Sequence, residues 1–204
     1  NTNSEIYFIN FMTPEAIKKL ANLLSKLPSL GPRQATRLAF HIASLSKNEV
    51  LELSEATRAV ARIKLCKNCF SLSAEEGDIC AICADKRRDH RTVALVEKET
   101  DRLTLEKTRK YNGRYLVMSD LPKDGIFNAE HKRRLTQLKK SGPFAEIILA
   151  LSPTTYGDLN ASLLAHELKD SAPKITRLGR GIPTGGEIEF ADEATLENAL
   201  KNRS

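Results

Sequence analysis

Hydrophobic positions in the first third of the chain follow the three-and-four spacing of helices. Three successive segments show this spacing, at residues 13–27, 33–45 and 46–63. Thr13 and Pro14 predict a capping residue and a first-turn proline for the first helix. Residues 28–32 break the pattern with a proline at each end, and Ser46 with Glu49 predicts a capping box at the start of the third helix. We therefore expect an all-helical N-terminal region.

The pattern changes beyond residue 91, where short apolar runs alternate with helical segments. Four runs predict buried strands, at residues 93–96, 115–118, 147–151 and 175–178. Helical spacing recurs between them, at residues 102–108, 129–140 and 159–168, and Asp192 predicts the cap of a final helix. This alternation favours a mostly parallel sheet covered by helices. The expected fold class is multidomain α+β, with a helical N-terminal domain, a small cysteine-rich module, an α/β domain and a C-terminal strand and helix.

The composition narrows the class of partner. The chain has 204 residues and a formal net charge of +6, a basic balance that suggests nucleic acid or an anionic membrane surface. Aromatic residues make up 5% and Trp is absent, which leaves little material for stacking on nucleic-acid bases. If nucleic acid is the partner, phosphate contacts should dominate.

The sequence shows neither a membrane-spanning pattern nor a secretory signal. The longest uncharged apolar stretch, residues 147–151, is far shorter than the roughly 18 residues of a membrane-spanning helix. Residues 1–11 lack the pattern of a secretory signal, and we leave them as an unassigned extension. A cytoplasmic protein is the expectation.

Four cysteines form the strongest chemical motif in the sequence. They stand as C-x2-C-x10-C-x2-C, and they are Cys66, Cys69, Cys80 and Cys83. Two such chelating pairs can close a tetrahedral thiolate site around one Zn²⁺, and four thiolates leave no open position for water. Free thiols and disulfides are the alternatives. We predict one structural zinc ion per chain and no catalytic metal.

A short segment between the first two helices predicts a phosphate-binding hairpin. Residues 27–33 read LPSLGPR, in which Gly31 is expected to permit a tight turn before the next helix offers its N-terminus to a phosphate. Arg33 and Arg37 lie four positions apart on one helix face, while Leu38 and Ile42 are expected to turn toward the core. The alternative is an ordinary helical hairpin with a solvated basic face. With the basic charge and the zinc module, DNA binding is the favoured interpretation.

Acidic residues follow three of the predicted strands: Glu97, Asp120 and Asp158. Ligand sites in open parallel sheets collect at strand ends, so these residues are candidates for a Mg²⁺ site. The alternative, which we favour, is that they are solvated. Residues 179–186 read GRGIPTGG but lack the lysine of a P-loop, and we expect them to shape a tight connection between the last strands.

Four stretches in chain order resemble the RecR family of bacterial recombination mediators. They are LPSLGPR at 27–33 with RLAFH at 37–41, the four cysteines, VE at 96–97 with SPT at 152–154 through Asp158, and GIP, GG and ADE at 181–183, 185–186 and 191–193. The resemblance runs from about Met12 to the C-terminus. It covers a helix-hairpin-helix, a zinc module, a Toprim domain and a C-terminal signature.

This resemblance implies a domain division and a set of roles. The division is an extension at 1–11, a helix-hairpin-helix domain at 12–65, a zinc module at 66–90, a Toprim domain at 91–172 and an oligomerisation segment at 173–204. Gly31, Arg33 and Arg37 match positions of DNA contact, and Glu97 and Asp158 match an acidic face that contacts partners. Tyr156 stands where members usually carry glutamate, and Ser152 where asparagine is frequent.

The function implied by the resemblance is a non-enzymatic DNA clamp. Such a clamp is a ring-like homo-oligomer, commonly a tetramer, that binds single- and double-stranded DNA and works with RecO or RecF to help load recombinase. The first alternative is a Mg²⁺-dependent Toprim nuclease or primase, which would need clustered carboxylates. The second is a scaffold that binds only protein.

Overall fold

The computed structural model describes residues 13–73 and 77–203. The chain divides into two compact units, one ending at Arg62 and the other beginning at Ile63. The unassigned extension at residues 1–11 lies outside the described residues. Helical N-terminus, cysteine cluster, parallel sheet and C-terminal strand and helix occur in the predicted order, which confirms the α+β class.

The first unit contains three helices: α1 (Glu15–Leu24), α2 (Pro32–Ser44) and α3 (Lys47–Val60). The Ser46 capping box is confirmed, because Glu49 N–H donates to Ser46 Oγ at 3.3 Å and Ser46 N–H donates to Glu49 Oε2 at 2.8 Å. The start of α1 differs from the prediction by one residue. Pro14 is the N-cap, and its carbonyl accepts from Ile17 N–H at 3.0 Å.

The turn between α1 and α2 uses a different residue from the one predicted. The left-handed conformation falls on Ser29, with φ of 64°, whereas Gly31 has φ of −74° and is the N-cap of α2. Gly31 therefore does not supply the positive φ of this turn. The expectation for Leu38 is also wrong, since Leu38 is exposed and the buried residues of α2 are Ala35 and Ala39. These small side chains let α1 and α2 pack closely.

The cysteine-rich segment opens the second unit with three short elements. Strand β1 (Lys64–Leu65) pairs antiparallel with β2 (Leu72–Ser73), and helix α4 (Ala81–Ala84) follows. None of these elements was predicted, because two residues of strand and four of helix are too short to give a periodic signal.

The rest of the second unit is built on a four-stranded parallel sheet. Its strands are β3 (Asp89–Val96), β4 (Gly113–Val117), β5 (Glu146–Ala150) and β6 (Lys174–Arg177), in the order β4-β3-β5-β6. Helices alternate with them: α5 (Glu99–Lys107), α6 (Ala129–Ser141) and α7 (Thr155–Leu168). The predicted parallel sheet is confirmed, and β3 is its central partner for both β4 and β5.

Successive residues of the central strands point to opposite faces and build two cores. Leu95, Leu116 and Leu149 belong to the larger core, which also takes in buried residues of α6 and α7. Val96 and Val117 belong to the smaller one. The sheet is therefore buried on both faces, as expected for parallel strands.

The C-terminal segment follows β6 with a 3-10 helix (Ile188–Phe190) and helix α8 (Glu193–Lys201). Asp192 caps α8 as predicted, accepting from Thr195 N–H at 2.7 Å. Residues 179–186 do not join two strands, because the described residues after them turn into the 3-10 helix instead of extending. Throughout the part of the chain that the structure describes, no helix is long and apolar enough to cross a bilayer.

Gly157 provides a test of packing at the start of α7. A Cβ at this position would lie 1.9 Å from the carbonyl oxygen of Ser152, a backbone atom that cannot move aside cheaply. We expect Gly157→Ala to lower the free energy of unfolding by about 1–3 kcal/mol. Gly179→Ala is the matched control, because a Cβ at Gly179 meets nothing within 4 Å. Urea denaturation checks both variants, and equal stabilities would contradict the packing described.

Candidate metal centre and nucleic-acid interface

The four cysteines converge on one point. All four are buried free thiols, and their sulfur atoms lie within 4.8 Å of one another. The Sγ atoms of Cys69 and Cys80 are 3.5 Å apart. A tetrahedral zinc site with Zn–S bonds of about 2.3 Å separates its sulfurs by about 3.8 Å, so the cluster has the dimensions of such a site.

Each cysteine pair lies in a backbone turn of the same kind. Phe70 N–H donates to the carbonyl of Cys66 at 2.9 Å, and Ala84 N–H donates to the carbonyl of Cys80 at 3.0 Å. Each turn brings a pair of cysteines to the same side of the chain. The sequence signal of two C-x2-C pairs therefore corresponds to two matching turns that face each other across the cluster.

Hydrogen bonds link sulfur atoms of the two cysteine pairs within the cluster. The Cys80 backbone N–H donates to Cys66 Sγ at 3.4 Å. Hydrogen bonds from Cys69 and Cys83 lower the pKa of Cys80 to about 2, and the same network raises the pKa of Cys69 and of Cys83. The four convergent sulfurs fit a closed, four-thiolate metal centre, and zinc is compatible with this donor set.

The cysteine segment is joined to the sheet through backbone and side chains. Val117 N–H, at the end of β4, donates to the Cys69 carbonyl at 2.9 Å. The Phe70 side chain belongs to the larger core, while Ile82 packs against the smaller core on the opposite face. The cysteine cluster is therefore an integral part of the second unit.

In the first unit, helix α2 presents an open N-terminus and an exposed basic face. Gly31 provides no side-chain cap, and Pro32 has no amide hydrogen. Arg33 and Arg37 are both exposed, and neither forms an ion pair with a residue that the structure describes. A helix N-terminus with two exposed arginines nearby is suited to an anion such as phosphate.

The three acidic residues at strand ends do not converge. Glu97 is half-buried and accepts from Leu121 N–H at 3.3 Å, and it shares a cleft with Asp120. Asp158 lies elsewhere, in the first turn of α7, which begins one turn earlier than predicted. Among the described residues, the four cysteines are the only group of three or more His, Cys, Asp or Glu side chains close enough to share one metal ion.

Asp158 is instead held by arginines from the C-terminal segment. Arg177 Nη2 lies 2.5 Å from Asp158 Oδ1, and Arg180 Nη1 lies 3.1 Å from Asp158 Oδ2. Arg180, followed by Arg177, lowers the pKa of this carboxyl to about 2. Neither arginine was predicted from the sequence, since they are 19 and 22 positions away and follow no motif that pairs them with Asp158.

Three known family models match successive parts of this chain. The RecR helix-hairpin-helix model matches residues 17–61, the Toprim domain model matches residues 91–179, and the RecR C-terminal model matches residues 181–204. The chain is therefore a Toprim-domain protein with an N-terminal helix-hairpin-helix unit and, between them, a cluster of four cysteines.

Full-length relatives define the family more closely. The chain is 39% identical to the recombination protein RecR of Myxococcus xanthus, over 94% of this chain and 98% of that protein. It is 39% identical to RecR of Rubrobacter xylanophilus, over 92% and 96% of the two chains. It is 40% identical to RecR of Acidothermus cellulolyticus, over 92% and 95%. The chain belongs to the RecR family.

The ion pairs of Asp158 give a pH-dependent contribution to stability. The pKa falls from its ordinary 3.8 to about 2 in the folded chain, so the stabilisation is present above about pH 4 and is lost as the pH falls toward 2. The side chain is partly exposed, so the contribution at pH 7 is about 0.5–1 kcal/mol. NMR titration of the Asp158 carboxyl, and urea denaturation of Asp158→Asn at pH 7, measure the two quantities.

Asp170→Asn is the control for this prediction. Asp170 is an exposed aspartate that forms no ion pair with another described residue. Its substitution should leave the free energy of unfolding at pH 7 unchanged. A carboxyl of Asp158 that titrates near 3.8 would show that the arginines do not hold it in solution.

Proposed function

We propose that this chain is a DNA-binding mediator of recombination and DNA repair that acts without enzymatic turnover. The observation that carries the proposal is the helix-hairpin-helix unit, matched by the RecR model at residues 17–61, with its open helix N-terminus and exposed Arg33 and Arg37. Relatives that match almost the whole chain are named recombination proteins. A protein that acts on bacterial DNA works in the cytoplasm, and we propose that location.

Phosphate contacts supply the affinity in this proposal. The backbone amides at the start of α2, next to Gly31, bind one phosphate, and Arg33 and Arg37 bind neighbouring phosphates along the strand. None of these groups reads a base edge. Binding to single- and double-stranded DNA should accordingly show little sequence preference and a steep dependence on salt.

The metal in the proposal is one structural Zn²⁺ per chain, held by Cys66, Cys69, Cys80 and Cys83. Four thiolates complete the coordination, so the ion stabilises the fold and offers no position to a substrate. Structural zinc sites of this kind contribute about 10–16 kcal/mol to local folding.

The remaining roles in the proposal come from the family resemblance, and each is assigned to a range of the chain or to named residues. We assign DNA binding to residues 12–65, the zinc module to 66–90, the Toprim domain to 91–172 and oligomerisation to 173–204. The proposed assembly is a ring-like homotetramer that surrounds DNA and helps load recombinase on single strands. Glu97 and Asp158 contact RecO or RecF, and a partner reaching Asp158 must compete with Arg177 and Arg180.

The Mg²⁺-dependent Toprim nuclease or primase is the weaker alternative. Such an enzyme needs carboxylates that share metal ions. In the described residues, Asp158 is paired with two arginines and is separate from the cleft that Glu97 and Asp120 line. This arrangement favours a contact surface over a catalytic site.

Charge reversal on α2 tests DNA binding. Arg33→Ala and Arg37→Ala should each weaken binding to all sequences alike and reduce the salt dependence by about one unit per lost phosphate contact. Arg33→Glu with Arg37→Glu should abolish binding in a low-micromolar titration. The measurement is fluorescence anisotropy with labelled single- and double-stranded DNA at several salt concentrations, with Mg²⁺ present, followed by gel analysis of the DNA.

Arg58→Ala is the matched control, because Arg58 is an exposed arginine of the same unit that lies on α3. If Arg33→Ala and Arg37→Ala bind like wild type at every salt concentration, the hairpin does not contact DNA. Cleaved or extended DNA would support the Toprim enzyme. Wild-type protein that fails to bind DNA would favour a scaffold that binds only protein.

Metal content tests the zinc centre. Full-length protein prepared without chelator should contain one zinc atom per chain, measured by inductively coupled plasma mass spectrometry. Cys80→Ser should lose most of this zinc and lower the unfolding temperature, because three thiolates leave the coordination open. Ala81→Ser, at an exposed neighbouring position, should retain it. Wild-type protein without metal would refute the assignment.

A further inference from the structure

Ser71 connects the first cysteine pair to the sheet domain. It is 1% exposed, and its carbonyl accepts from Cys66 N–H at 2.9 Å. Its hydroxyl donates to Glu99 Oε1 at 2.9 Å. Ser71 thus forms one bond to a cysteine of the cluster and another to a carboxylate on α5, 28 positions further along the chain.

Glu99 accepts the hydrogen bond from Ser71 and does not cap its own helix. The cap of α5 is made by Asp101, whose Oδ2 accepts from Lys98 N–H at 2.9 Å. Glu99 Oε1 accepts a second hydrogen bond from Arg102 Nε at 2.8 Å. Its other oxygen, Oε2, is buried and accepts no hydrogen bond from a described residue. Arg102 Nη2 donates to Oε1 as well. A carboxylate in this position is costly to bury, so the three bonds at Oε1 must compensate.

Arg102 brings positive charge to the same place. Its side chain is 11% exposed, compared with 21% for Glu99. Desolvation lowers the pKa of Arg102, but the hydrogen bond to Glu99 and the charge of Glu99, followed by the smaller effects of Cys69 and Cys80, outweigh it and raise the pKa. Four thiolates around a divalent ion carry a net charge of −2, and a buried guanidinium nearby reduces the cost of that charge.

We propose that Ser71, Glu99 and Arg102 are positioning residues of the metal centre, acting as one chain of contacts that holds the Cys66–Cys69 turn in its metal-binding geometry. This inference rests on the proposed zinc site and extends it to residues that carry no metal-binding motif. The hydroxyl of Ser71 fixes the turn, Glu99 anchors that hydroxyl, and Arg102 holds Glu99 in place and balances the charge of the thiolates.

The test measures how fast the zinc-loaded, full-length protein releases its metal to an excess of a chromogenic chelator. Ser71→Ala and Glu99→Ala should each accelerate release by about tenfold, the lower end of what loss of an outer-shell contact does to metal affinity. The double variant should release zinc no faster than either single variant, because both remove the same hydrogen bond. Glu99→Gln keeps an acceptor for Ser71 and should lie closer to wild type than Glu99→Ala.

Two substitutions of Arg102 distinguish the effect of its positive charge from the effect of its packing. Arg102→Met should accelerate release, and Arg102→Lys should restore part of the wild-type rate because it retains the positive charge. The visible spectrum of Co²⁺-substituted protein supplies a second readout, since thiolate-to-cobalt bands report the geometry of the four sulfurs. These bands should shift in Glu99→Ala and remain unchanged in Glu106→Ala, which is the control variant.

Glu106→Ala is the control, because Glu106 lies on the same helix and pairs with Arg88 and Tyr115 instead of Ser71. The inference is overturned if Glu106→Ala accelerates release as much as Glu99→Ala, if the Ser71 and Glu99 effects add, or if Glu99→Ala releases zinc at the wild-type rate. Wild-type protein that binds no zinc overturns both this inference and the zinc proposal. Normal zinc content with unchanged release in the variants overturns this inference alone.

Discussion

Convergence of the four cysteines is the constraint on which the second unit depends. Two strands of two residues and a helix of four cannot hold residues 64–73 and 77–84 in one conformation by their own hydrogen bonds. Phe70 is also kept at a φ of 57°, which a non-glycine residue adopts only when its surroundings require it. The same cluster places Phe70 in one core and Ile82 against the other. The cysteine segment therefore contributes one apolar side chain to the packing on each face of the sheet.

The proposed contact residues Arg33, Arg37 and Asp158 differ in whether they form ion pairs with other described residues. Helix α2 leaves Arg33 and Arg37 exposed and without ion pairs to described residues, so a phosphate meets no internal competitor there. Asp158 is in the opposite situation, because two arginines of the same chain already surround it. A net charge of +6 thus gives no guide to individual sites. In the proposed function, DNA phosphates would bind arginines that have no partner among the described residues, whereas a protein partner at Asp158 would have to displace Arg177 and Arg180.

Local sequence signals were sufficient for the longer helices, for two of the caps and for the grouping of the four cysteines, and insufficient for short elements and for contacts between distant residues. The Ser46 and Asp192 caps and the four cysteines follow from spacing alone. The positive φ of Ser29 does not, since the nearby glycine is the usual residue for that conformation and here serves as an N-cap. The pairing of Asp158 with Arg180 needs the fold, because only the β5–α7–β6 crossover brings the two together.

The division of the chain after Arg62 has a consequence for its dependence on metal supply. Residues up to Arg62 contain no cysteine and form their own compact unit, whereas all four cysteines lie in the unit that begins at Ile63. Under the proposed zinc assignment, a shortage of zinc acts directly on the second unit, which holds all four proposed ligands. The first unit has no cysteine, so the exposed Arg33 and Arg37 and the N-terminus of α2 have no direct dependence on the metal. The groups proposed to contact DNA and the groups proposed to bind zinc therefore lie in separate compact units of one chain.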